Sequence, residues 1–238
     1  LMAQPYVDPE RSGLLGTCVG GSFALMAAAH PLIRERVAFV CTFAPYSSMW
    51  TLARDIASAS LTRGGTRVPW RVDQLTRRVG VRTLTGGLAP GEAETLRAAF
   101  AGEARPLEGD VHSLSAEGRA VHAVLTSGDA DEAQSALERL PPALRDQLSR
   151  LSPLAYLEDV RAPLIVVGHD RGDQVIPVSE SRSLTAALAG RPGVRYTEFG
   201  MFQHMDPTQS KLPPHRPAHE LGRFYAYVYP MFRQAVGA

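Results

Sequence analysis

A thiol, a carboxylate and an imidazole stand along this chain where, together, they could attack a carbonyl carbon. Cys18 lies in Gly16-Thr17-Cys18-Val19-Gly20-Gly21, a nucleophile flanked by residues with almost no side chain. That pattern holds a reactive group on a sharp turn between a strand and a helix, where neighbouring side chains would collide. A helix starting near Val19 aims its N-terminal N–H groups back at the sulfur, and this end of the dipole favours thiolate over thiol. The Val19 N–H itself is placed to donate to a developing oxyanion. A thiol also needs a base, and an imidazole base needs a carboxylate to fix its tautomer and stabilise the imidazolium. Asp173 lies four residues before Pro177 in the stretch His169 to Pro177, and His204 ends Phe199-Gly200-Met201-Phe202-Gln203-His204. The candidate catalytic residues are therefore Cys18, Asp173 and His204, with Gly16, Val19, Gly20 and Gly21 forming the turn and its donor. Thr17, Met49 and Trp50 are candidate pocket residues, although Met49 and Trp50 serve equally well as core or hinge.

Other residues compete for these roles. Asp170 is an alternative acid; the spacing to Pro177 favours Asp173 and leaves Asp170 as a solvated loop carboxylate. His215 and His219 sit four apart, but Pro217 lies between them and no glutamate follows the first, so the H-E-x-x-H zinc pattern is not met. His112 and His122 read as surface or cap residues, His169 as a brace for the acid loop, and Cys41 as core.

The elements that must position these groups alternate at both ends of the chain. Arg11–Gly16 is a short apolar run before the cysteine, Gly20–His30 is rich in helix formers, and Val37–Phe43 is a continuous β-branched and aromatic run. Such a run suits a strand buried on both faces of a parallel sheet. After the middle of the chain the alternation resumes with a strand over 163–168, a helix over 179–189 ended by Gly190, and a strand over 194–199. Leu221, Phe224, Tyr225, Val228, Met231 and Phe232 fall at helical spacing, with Pro230 expected to kink or shorten that last helix. Between about Met49 and Ser152 the texture is helical. Helices are expected over 49–61, 91–101, 115–125, 129–140 and 142–151, with turns at Gly64-Gly65 and Gly86-Gly87 and no strong strand signal. The expected organisation is a core from residues 1–48 and 153–238, with residues 49–152 inserted as a helical cap. Each candidate catalytic residue follows the C-terminal end of a strand, where open α/β sheets place their sites.

Composition narrows the function classes. Basic and acidic residues number 25 and 24, giving a net charge of +1, and no basic cluster stands out. That argues against a nucleic-acid binder, whose affinity rests on neutralising phosphates. With 45% hydrophobic and 21% charged residues the chain has the balance of an ordinary folded domain. No run approaches the ~18 apolar residues of a membrane span, and no signal peptide is visible. Two cysteines do not make a disulfide framework, so a cytoplasmic location is expected.

On the motifs "GTCVGG", "PLIVVGHDRGDQVIP" and "FGMFQH" the chain resembles the α/β-hydrolase superfamily, in which nucleophile, acid and histidine occur in this order. The lead-in "YVDPERSGLLG" is similar to that of many of its esterases and peptidases. A cysteine in the elbow is similar to dienelactone hydrolases and polyhydroxyalkanoate synthases, which use Cys-Asp-His. The former lack a long helical cap. The latter are much longer and carry a tryptophan beside the proline of the acid segment, which this chain lacks. The resemblance thus implies the superfamily rather than a substrate. It implies a partial α/β-hydrolase fold: a parallel sheet flanked by helices, with a helical cap insertion.

The implied activity is hydrolysis of a carboxylic ester, thioester or lactone, a small-molecule acyl substrate, through an acyl-enzyme. No metal or organic cofactor, nucleic acid or membrane partner is implied, and self-association is left open. The alternatives are a catalytically inactive hydrolase-like binding module and a prolyl-oligopeptidase-like peptidase. Members of the superfamily place several strands and a second oxyanion donor before the elbow. Here 15 residues precede Gly16 and Leu1 precedes Met2, so an N-terminally truncated member is expected.

Overall fold

Two stretches of this chain are buried at every position, Phe39–Phe43 and Leu164–Asp170. Continuous burial of a strand requires cover on both faces, and the computed structural model shows how it arises. The structure describes residues 4, 5, 7, 8, 10–102, 107, 111–204 and 216–237. Leu1 and Met2, whose order drew attention above, lie outside them. In chain order the elements are β1 (Leu14–Thr17), α1 (Val19–Ala28), β2 (Phe39–Phe43), α2 (Met49–Ala57), β3 (Ser60–Arg63), β4 (Thr66–Pro69), α3 (Gln74–Leu84) and α4 (Pro90–Phe100). They continue with α5 (Ala116–Leu125), α6 (Ala130–Glu138), α7 (Pro142–Arg150), β5 (Leu164–Asp170), α8 (Val178–Ala187), β6 (Val194–Phe199) and α9 (Arg216–Val236). They fall into two compact units, Leu1–Ser47 with Ser152–Ala238, and Ser48–Leu151.

The first unit is an α/β layer structure. Its sheet has the order β1-β2-β5-β6, with all three pairings parallel. Side chains alternate between two cores. Val40, Ile165 and Val167 pack with Leu25 and Ala28 of α1 and Leu184 of α8. Phe39, Cys41, Phe43 and Val166 pack on the opposite face with Phe199 and with Tyr227 and Met231 of α9. The Tyr227 hydroxyl donates to the Thr42 carbonyl at 2.8 Å and accepts from the Cys41 thiol at 3.3 Å. α9 runs through Pro230 to Val236, so the proline does not shorten it. Tyr227 and Met231 on either side of the proline both bury into one core, and that packing outweighs the missing N–H.

Register brings the strand ends level. Thr17 pairs with Phe43, Phe43 with Gly168, and Asp170 with Phe199. Because every strand runs the same way, the segments that follow all four leave from one edge.

The second unit is helical but not wholly so. Residues expected to continue one helix to Leu61 instead turn at Ala59 (φ 46°) into the antiparallel hairpin of β3 and β4. Gly64 and Gly65, both at positive φ, make its two-residue turn. The buried Asp55 carboxylate ties the hairpin down, accepting from Arg54 at 2.9 and 3.0 Å and from Arg67 at 2.9 Å. A helix over Gln74–Leu84, absent from the expectations, is capped by Asp73 accepting from the Leu75 N–H. Ser115 and Asp129 cap α5 and α6 in the same way.

Candidate active site

β1 ends at Thr17 and α1 begins at Val19, so Cys18 alone makes the turn. Its φ of 53° and ψ of −132° lie where a residue with a Cβ is strained. Hydrogen bonds hold it there. The Cys18 N–H donates to the Phe43 carbonyl at 2.8 Å, extending the β1–β2 ladder by one residue, and the Cys18 carbonyl accepts from Gly21 at 2.9 Å. The glycines differ in what they do. A Cβ on Gly16 would sit 2.1 Å from the Gly20 carbonyl oxygen, so no larger residue fits. One on Gly21 would sit 3.1 Å from the Gly16 oxygen, which is tight. One on Gly20 would meet nothing, which corrects the expectation that every neighbour must lack a side chain. Val19 is the first helical residue, and its N–H has no acceptor among the described residues, as is usual for the first turn of a helix. Thr17 is exposed at the end of β1.

The carboxylate comes from the loop after β5. Asp173 is buried, and its Oδ1 accepts from the Val175 and Ile176 N–H groups at 2.8 and 3.0 Å. Oδ2 lies 2.8 Å from His204 Nδ1. His169, fully buried at the end of β5, approaches the same oxygen through Nε2 at 3.5 Å. That nitrogen is also 2.9 Å from the Ile176 carbonyl, which can only accept, so Nε2 carries the proton. His169 Nδ1 lies 2.5 Å from Ser181 Oγ. Burial pushes the Asp173 carboxyl up, but the bonds and charges of His169 and His204 outweigh it and hold the group below the usual range.

His204 reaches this carboxylate from the segment after β6. Nδ1 is committed to Asp173, and Cys18 is the other side chain whose interaction with the ring is felt. Burial alone would lower its pKa. The bonds to Asp173 and then Cys18, with their charges, outweigh this and raise it to about 10. The structure thus brings the candidates together: His204 bonds the Asp173 carboxylate through Nδ1, and Cys18 is its other interacting side chain.

Sequence reasoning missed several groups around it. Asp170 is not a solvated loop residue: it is 1% exposed, and its oxygens accept from the Gly172 and Phe202 N–H groups, each at 2.7 Å. Tyr46 is fully buried, and its phenol is pushed up by burial and by the charges of Glu180 and Cys18. Glu180, 1% exposed on α8, accepts from the Ser47 N–H and hydroxyl at 2.8 and 2.7 Å. Ser22, one turn after Cys18 on α1, bonds the backbone of Tyr46 in both directions at 2.9 Å. No spacing or pattern announces these partners, because most of them are backbone groups.

Met49 and Trp50 open α2 in the other unit, where the Trp50 indole N–H donates to Ser149 Oγ at 3.1 Å. His122 packs edge-on against Phe100. His219 is exposed on α9, while His215 lies outside the described residues. Among the described residues no group of three or more His, Cys, Asp and Glu is placed to hold a metal ion, and no helix is long and apolar enough to cross a membrane.

No protein-family model matches the chain, and no curated protein matches it either. Among solved structures it is similar to an acylaminoacyl peptidase of Pyrococcus horikoshii, at 14% identity and a TM-score of 0.44, over 97% of this chain and 24% of that one. It is also similar to a meta-cleavage product hydrolase of Pseudomonas fluorescens IP01, at 15% identity and a TM-score of 0.39, over 95% of this chain and 66% of that one. A third is a carbohydrate esterase from gut microbiota, at 14% identity and a TM-score of 0.32, over 92% and 68%. This chain therefore spans less than two thirds of the first two proteins' lengths.

Proposed function

We propose that this chain carries an acyl-transfer site of the α/β-hydrolase type, acting on a carboxylic ester, thioester or lactone. One observation supports the reading above others: a strained cysteine interacting with a histidine that is held by a buried carboxylate, all at one edge of a parallel sheet. Fold alone would not support it, since one scaffold hosts many chemistries.

In this reading the Cys18 sulfur, its proton held by His204, attacks the carbonyl carbon. A C–S bond forms and the carbonyl π pair moves to oxygen, where the Val19 N–H donates to it. The tetrahedral adduct collapses, the C–O or C–S bond to the leaving group breaks, and His204 Nε2 delivers its proton to that group. Water then attacks the thioester, giving one proton to His204, and collapse releases the carboxylic acid and regenerates the thiolate–imidazolium pair. Asp173 keeps Nδ1 protonated throughout and stabilises the imidazolium. A thiolate is itself a good leaving group, so a sulfur nucleophile suits reactive acyl donors better than amides.

The test uses the chain with p-nitrophenyl acetate and an acyl thioester. An acetyl adduct on the Cys18 peptide after a brief pulse is expected, absent in Cys18→Ala and strongly reduced in His204→Ala. Labelling of Cys18 by a thiol probe at neutral pH is expected to be rapid and to be lost in His204→Ala. Slow labelling equal in both proteins, with no adduct, refutes acyl transfer and favours a binding module built on the same fold.

A further inference from the structure

The segment carrying His204 leaves β6 at Phe199 and has no helix or strand of its own up to His204, and Gln203 within it adopts a left-handed φ of 46°. Irregular backbone close to a core needs acceptors for its N–H groups from elsewhere. Two buried carboxylates provide them. Asp170 accepts from the Phe202 N–H through Oδ2, and Glu220 of α9, 5% exposed, accepts from the Gly200 N–H at 2.9 Å. Both side chains accept from backbone N–H groups, and each places a carboxyl oxygen where the irregular segment needs an acceptor.

Asp170 does more than satisfy a backbone group. Its second oxygen holds the Gly172 N–H, so one side chain spans the acid loop and the histidine segment. Gly172 directly precedes Asp173, and Phe202 lies two residues before His204. The Phe202 ring is fixed as well, with its centroid 5.3 Å from Phe199, 5.2 Å from Phe224 and 5.8 Å from Phe43. The segment is thus pinned at Gly200 and Phe202 just before it delivers the imidazole.

We infer that Asp170 and Glu220 are positioning residues for His204: Asp170 fixes the separation between the loop bearing Asp173 and the segment bearing the imidazole, and Glu220 ties that segment to α9. This rests on the triad reading above. In Asp170→Asn the side chain keeps its size, but only one of its two terminal atoms accepts, so the Gly172 or Phe202 N–H loses its partner. Small misplacements of a catalytic group cost large factors in rate.

The experiment is the pH profile of iodoacetamide alkylation at Cys18, read on the isolated peptide so that Cys41 does not contribute. Relative to the unaltered chain, Asp170→Asn is expected to slow alkylation at neutral pH by ~10-fold and to alter its pH profile. Glu220→Gln is expected to act in the same direction by ~3-fold. In a His204→Ala background Asp170→Asn is expected to add nothing, because the residue acts through the imidazole. A folded Asp170→Asn protein with an unaltered profile, or an equal slowing with and without His204, overturns the inference. If Asp170→Asn does not fold by circular dichroism, Glu220→Gln decides by the same profile. If His204→Ala itself labels like the unaltered chain, the triad reading is what has failed.

Discussion

His204 should hold its proton far above the usual histidine range, and the structure says which neighbours cause it. Burial pulls the pKa down; the Asp173 bond and then the Cys18 bond, with their charges, raise it to about 10 from an ordinary 6.5. At 1.36 kcal/mol per unit that difference corresponds to ~5 kcal/mol of interaction favouring the imidazolium. The side chain keeps 17% of its surface in solvent, whose screening trims this to ~3–4 kcal/mol. A group whose folded pKa is raised contributes its full stability below the unfolded value of 6.5 and loses it as pH rises through about 10. Urea unfolding at pH 6.5, 8 and 10.5 should therefore show the advantage of the unaltered chain over His204→Gln shrinking by about that amount. Proton NMR of the C2–H, assigned by the same substitution, should place the midpoint near the upper value. The order of causes adds a sharper test. Asp173→Asn should lower the midpoint more than Cys18→Ala does, because the carboxylate contributes more than the sulfur. A His204 midpoint near 6.5, or a stability difference constant between pH 6.5 and 10.5, refutes the coupled arrangement.

Gly16→Ala and Gly20→Ala should part company in thermal unfolding. The first forces a Cβ to 2.1 Å from the Gly20 carbonyl oxygen and should cost ~3 kcal/mol or more, while the second adds a methyl in open space on a helix and should be neutral or stabilising by up to ~1 kcal/mol. In the helical unit, Asp55→Ala removes the acceptor shared by Arg54 and Arg67 and should cost ~2 kcal/mol by urea unfolding, with faster amide exchange in the β3–β4 hairpin; unchanged exchange there would show that the carboxylate does not hold it.

What was legible in the sequence follows from what makes a signal. The parallel sheet was readable because β2 and β5 bury both faces and so appear as unbroken apolar runs. The elbow was readable because Gly16 has no alternative. The β3–β4 hairpin was not, because only Leu61 of its eight residues is buried, leaving the Gly64-Gly65 turn as the sole trace. Continuation of α9 through Pro230 was hidden for a related reason: local propensity sees the lost hydrogen bond, whereas Tyr227 and Met231 answer to a core built from distant strands. Asp170 and Glu220 show the limit most clearly. An acidic residue reads as solvated unless its partners can be named, and here those partners are peptide N–H groups fixed by tertiary structure.

The location of strain is the last link between fold and site. Among the described residues, four other than glycine adopt positive φ, and three of them belong to the first unit: Cys18, Ala44 and Gln203. All three follow C-terminal strand ends on the same edge of the sheet, after β1, β2 and β6. Such conformations cost about 1–3 kcal/mol each and persist only where neighbours over-determine them. Here the neighbours are identifiable. Cys18 donates to Phe43 at 2.8 Å and Ala44 donates to Gly168 at 2.8 Å, so each strained residue is the last rung of a parallel ladder, locked by the strand beside it. Gln203 directly follows Phe202, whose N–H is held by Asp170 and whose ring is packed among Phe43, Phe199 and Phe224. A sheet needing only to be stable would relax such turns through glycine. This one holds a thiol and the residue preceding an imidazole in the left-handed region, and draws the offsetting stability from an all-parallel core in which β2 and β5 are buried on both sides. Loosening that core at a distance, as a truncation at Phe199 or Tyr227 would, should therefore be felt first in the geometry of this edge and only afterwards in global unfolding.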